Sequence, residues 1–194
     1  MNKILCFLII GLSLFCSMVI CGCGHHQSKV EDTIRLMCSQ KVRIPFDTMS
    51  CWVNDSMQYS RPWENASMKL VVYTDSTQCS TCTLKHMSLW SDFVKLENKY
   101  NNQFQVVFIM ETRSGTANKL IPAFCQTALN HPMYIDSIGV FIRTNPHIPS
   151  ERMFHVFLLD ENNNVILVGN PEFNPKIEKM LLAILEEKFD KIKK

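Results

Sequence analysis

Two near-continuous apolar runs, Lys69-Leu70-Val71-Val72-Tyr73-Thr74 and Phe104-Gln105-Val106-Val107-Phe108-Ile109-Met110, do most to limit what this chain can fold into. Both are short and rich in β-branched and aromatic residues, and neither alternates with polar residues as a strand with one wet face does. They read as strands buried on both faces. Between them, after the polar turn Asp75-Ser76-Thr77-Gln78, a helical pattern runs to Tyr100, with Met87, Trp90 and Val94 on one stripe and Leu89, Phe93, Leu96 and Tyr100 on its neighbour. Strand, helix and strand with short links make a right-handed βαβ unit, so the two strands are predicted parallel and the fold class α/β.

The later elements are consistent with this. A weaker helix is predicted over about Thr116 to Leu129, where Pro122 either kinks it or marks its first turn. Met133-Tyr134-Ile135 reads as a short strand. Phe154 to Leu159 and Val165 to Val168 flank the turn-rich Asp160-Glu161-Asn162-Asn163-Asn164, which predicts a β-hairpin. Asn174-Pro175 supplies a cap and a first-turn proline for a last helix running to about Phe189, with Ile177, Met180, Leu181, Ile184 and Leu185 facing inward. Before residue 68 a short helix is expected near Glu31 to Met37 and a short strand around Val42 to Phe46, and the rest is irregular.

The N-terminus carries a different signal. One positive side chain, Lys3, precedes an uncharged apolar stretch from Ile4 to Ile20, which is the layout of a signal peptide. Ile20-Cys21-Gly22-Cys23 resembles a bacterial lipobox, and by that resemblance Cys23 is the lipidated residue; an uncleaved membrane anchor is the competing reading. Residues 1–22 are then the signal, 23–67 the lipid anchor, tether and N-terminal extension, and 68–190 the folded domain. Both readings put the domain outside the cytoplasm; the lipidated one leaves it lipid-anchored in the cell envelope, periplasmic or outer-membrane associated. What remains after the signal is about 170 residues, one domain with a core of ordinary size. A formal net charge of +2 provides no basic field of the kind nucleic acid binding requires.

Of nine cysteines, Cys6, Cys16 and Cys21 leave with the signal and Cys23 takes lipid. Cys38, Cys51, Cys79, Cys82 and Cys125 remain. In an oxidising compartment the economical pairing is Cys38 with Cys51 and Cys79 with Cys82, which leaves Cys125 single.

Cys79-Ser80-Thr81-Cys82 opens the helix that follows the first buried strand. Unpaired amides and the positive end of the helix dipole stabilise a thiolate there. Cys79 is the expected nucleophile and Cys82 the resolving thiol. The strand, the dithiol at a helix start, the second strand, the terminal hairpin and the closing helix together resemble the thioredoxin-like superfamily, over about Met68 to Phe189. The resemblance is to envelope thiol-disulfide oxidoreductases, in the lipoprotein form seen in Bacteroidetes. It implies a central mixed sheet with a βαβ unit and a C-terminal hairpin plus helix. It also implies exchange with protein thiols or disulfides, with no cofactor and no resident metal.

Two positions depart from the family. Gln78 stands where tryptophan usually precedes the first cysteine, and Phe154 stands where a cis-proline opens the hairpin strand beside the dithiol. These departures keep a second reading open, a non-catalytic thioredoxin-like binding module that handles copper or a protein partner. Soft sulfur ligands suit copper or zinc; Cys79, Cys82 and His86, nearly two turns from Cys79, are the ligands such a site would draw on, and by the resemblance His155 lies next to the position that faces the dithiol. A peroxidase reading fails on spacing, because Thr77 lies two residues before Cys79 and that family's threonine lies three before. With six glycines in the whole chain and no phosphate-cradling loop, nucleotide binding is not expected.

Overall fold

The computed structural model describes residues 29–78, 84, 86–112, 117–127 and 129–190; for residues 117–119 and 125 only the backbone is described. The chain forms two compact units, 1–36 and 37–194. In the first, the described residues 29–36 are helical, and Thr33 Oγ1 donates to the Lys29 carbonyl at 2.8 Å.

The second unit is built on seven strands: β1 Ser50–Val53, β2 Ser56–Met57, β3 Met68–Thr74, β4 Phe104–Glu111, β5 Met133–Asp136, β6 Val156–Leu159 and β7 Val165–Val168. They form one sheet in the order β2-β1-β5-β4-β3-β6-β7. β3, β4 and β5 run parallel, while β6 pairs antiparallel with β3, β7 with β6, and β1 with β5. The helices are α1 Ser91–Lys99, preceded by a 3-10 turn Met87–Trp90, then α2 Ala117–Cys125, α3 Val140–Thr144 and α4 Pro175–Phe189.

The two apolar runs are the central strands. Every residue of β3 is buried, and so are the first seven of β4. Leu70, Val106, Phe108 and Leu158 meet Trp90, Phe93, Leu181 and Leu185 in one continuous apolar core. A parallel pair with no polar alternation has no face to give to water, so helices must cover both sides. The expected α/β fold is present: β4-β3-β6-β7, with the parallel β3–β4 pair at its centre and the hairpin beside β3, is the thioredoxin-like arrangement. Asn174 caps α4 as expected, its Oδ1 accepting from the amides of Lys176 at 3.0 Å and Ile177 at 3.4 Å, with Pro175 in the first turn.

Several local expectations are corrected. No strand forms over Val42 to Phe46; Phe46–Thr48 is a 3-10 turn and the first strand begins at Ser50. Pro45 lacks an amide for a ladder, while upstream of it Val42 donates to the Asn163 carbonyl at 2.9 Å and Lys41 bridges Asn164 at the β6–β7 turn. Pro122 sits inside α2 and not in its first turn. Met180 is half exposed and Leu89 likewise, each on the flank of the apolar stripe that its neighbours define. Cys38 is exposed and Cys51 is buried in β1, each with a free thiol in this structure. Burial pushes the Cys51 thiol up to about 11, with Arg61 acting in the opposite sense.

Candidate functional site

Gln78 and His86 flank the dithiol segment in sequence, and both line the same cleft. The cleft lies at the edge of the sheet where β3 ends, β6 begins and β7 ends. Its walls include Val72, Tyr73 and Thr74 from the last turns of β3, His155 and Val156 at the start of β6, and Asn170, Glu172 and Phe173 from the loop after β7. Its volume is about 460 Å³. The C-terminal edge of parallel strands is where open α/β sheets place their ligands, because chain reversals there leave a crevice.

Asp75 organises the turn out of β3. Its Oδ1 accepts from the Thr77 amide at 2.7 Å and from the Thr77 hydroxyl, and its Oδ2 accepts from Gln78 Nε2 at 2.9 Å. This is an Asx-type turn, which fixes the backbone from Asp75 to Gln78. Partial burial pushes the Asp75 carboxyl up, but the bonds from Thr77 and Gln78 outweigh it and hold the group below the usual carboxylate range.

His155 packs beneath that turn and is 2% exposed. Its backbone carbonyl accepts from the Tyr73 amide at 2.9 Å, and its ring stands edge-on to Tyr73 with centroids 4.9 Å apart. Nε2 lies 2.9 Å from the Pro149 carbonyl. A carbonyl can only accept, so the neutral ring carries its proton on Nε2 and presents Nδ1 as a lone pair. Nδ1 is buried without a hydrogen bond and stands 3.6 Å from Asp75 Oδ2, too far for one. Burial pushes the imidazole below its ordinary value. The Pro149 carbonyl and Asp75 act against that, and Arg152 adds to it. At neutral pH the ring is therefore uncharged, and its contact with Asp75 is not an ion pair.

The opposite wall depends on one glycine. Gly169 has φ +133°, and a Cβ there would come within 3.0 to 3.1 Å of the Ile177 side chain. Glycine alone takes that conformation without strain, and it turns the chain from β7 into the loop carrying Glu172. The Glu172 amide donates to Asn170 Oδ1 at 2.8 Å, yet its own Oε1 is buried with no partner. Burial raises the Glu172 carboxyl above its ordinary range, against the pull of His86 and Asn170. Met153 and Phe173 edge the cleft as exposed apolar side chains.

Cys79, Cys82, Lys85 and Cys23 lie outside the described residues, and Cys125 closes α2 with only its backbone described. Of the other positions singled out from sequence, His86 is exposed at the cleft and His155 is buried in its wall, while Phe154 is buried in the 3-10 turn Arg152–Phe154 and is not part of the lining. No peptide bond among the described residues is cis. Nor do the described residues gather three or more His, Cys, Asp or Glu side chains as a metal would require. Sequence reasoning missed Glu172 and Arg152 in the lining, and gave Asp75 no role beyond a turn. The spacing Asp75-x-Thr77 was the available signal for the Asx turn; nothing local marks Glu172.

The fold is α/β with a thioredoxin-like sheet order. No family model matches the chain, and no curated protein matches it. Solved structures resembling it include a candidate thiol-disulfide isomerase domain from Cytophaga hutchinsonii, with 17% identity, a TM-score of 0.49 and coverage of 76% of this chain and 92% of that one. A candidate protein disulfide isomerase from Bacteroides thetaiotaomicron aligns with 16% identity, a TM-score of 0.45 and coverage of 77% and 91%. The Bacterioferritin Comigratory Protein of Xanthomonas campestris, a structure concerned with alkyl peroxide reduction, aligns with 15% identity, a TM-score of 0.45 and coverage of 75% and 97%.

Proposed function

We propose that the chain is a thiol-disulfide oxidoreductase of the cell envelope, with Cys79 as nucleophile and Cys82 as resolving thiol, tethered through a lipid on Cys23. The observation that carries this reading is the cleft itself. A Cys-x-x-Cys is inserted in sequence between two residues that line one crevice at the C-terminal edge of a parallel strand. That is where a dithiol meets a substrate.

In the reducing direction the Cys79 thiolate attacks one sulfur of a substrate disulfide, forming a mixed disulfide. The other substrate sulfur leaves as a thiolate and takes a proton. The Cys82 thiolate then attacks the Cys79 sulfur and releases the second substrate thiol, which leaves a Cys79–Cys82 disulfide. Two electrons and two protons pass to the substrate, and the reverse sequence oxidises a dithiol. Asp75, Thr77 and Gln78 would fix the backbone that leads into Cys79, and the uncharged His155 would add no positive charge at neutral pH. Phe154, buried where the family carries its cis-proline, leaves substrate backbone to be held by other groups.

The test uses resolving-thiol variants of the full chain. With Cys82→Ala, incubation with glutathione disulfide followed by peptide mass mapping should show one glutathione on Cys79. With Cys79→Ala that adduct should be absent, whatever the exposed Cys38 takes up. Should Cys82→Ala carry no adduct on Cys79 while Cys38 does, exchange at this site is wrong.

A further inference from the structure

We draw no further inference here: the strongest candidate, the cleft at the C-terminal end of β3 with Met153 and Phe173 exposed at its rim, is an unpartnered apolar face, and nothing in the structure shows what would cover it.

Discussion

Two buried histidines, His131 and His155, are each 2% exposed and serve opposite purposes. His131 Nε2 lies 2.9 Å from Glu97 Oε1, and Nδ1 lies 3.0 Å from the Pro132 carbonyl. The same Glu97 oxygen accepts from Gln105 Nε2 at 2.9 Å and from the Val106 amide at 2.8 Å. That network ties α1 to β4 and to the segment before β5, and both ring nitrogens of its histidine have partners. His155 has a hydrogen-bond partner on Nε2 alone, and its Nδ1 is buried without one, 3.6 Å from Asp75 Oδ2. Burial is equal, so burial does not separate the two. Whether the polar atoms are matched does: a satisfied network specifies structure, and a buried atom left without a partner costs stability.

The comparison breaks most visibly at Glu97. Glu97→Ala strips one acceptor from three buried groups and should cost at least about 3 kcal/mol in urea unfolding. Activity per folded molecule should be retained; a loss well under 1 kcal/mol would mean the network is not what holds α1 on the sheet. His155→Gln should cost about 1 kcal/mol, because one satisfied contact changes and the other nitrogen had no bond to lose. A cost equal to that of Glu97→Ala would erase the distinction.

Acid sensitivity sharpens the contrast further. Burial depresses His155, and His147 with it. As pH falls through about 6.5 the unfolded chain gains protons on these rings before the folded chain does. Stability present above that value is therefore lost on acidification, and less of it should be lost in His155→Gln. A separate effect is expected at alkaline pH. Cys51 is raised to about 11, so its contribution is complete below its ordinary value of 9.0 and lost as pH rises from there through 11. Thermal unfolding across that range should show a decline that Cys51→Ala reduces.

The sheet was legible because its strands are local and extreme in composition. Lys69 to Thr74 and Phe104 to Met110 could be little other than buried parallel strands, and Asn174-Pro175 starts a helix by its own chemistry. The short helix near Glu31 to Met37 was legible, but the stretch from Val42 to Pro62 was not. β1 and β2 carry a mixed pattern, Ser50-Cys51-Trp52-Val53 and Ser56-Met57; β1 is a strand because β5 offers it an edge, and β2 because β1 does, which no local sequence shows. The candidate site divides the same way. The dithiol announces itself by spacing, whereas Glu172 reaches the cleft only because Gly169 turns the chain there. His155 could be placed near the dithiol by family resemblance, but its missing hydrogen bond is a property of the packed state.

The most direct test of the central claim is the equilibrium reduction potential of the full chain in detergent, titrated against glutathione and followed by thiol alkylation at Cys79 and Cys82. A reversible two-electron couple between about −120 and −270 mV, abolished by Cys79→Ala, is the result expected of a working exchange protein. A pair that stays oxidised well below about −300 mV, or one that gives no couple assignable to these cysteines, would contradict it.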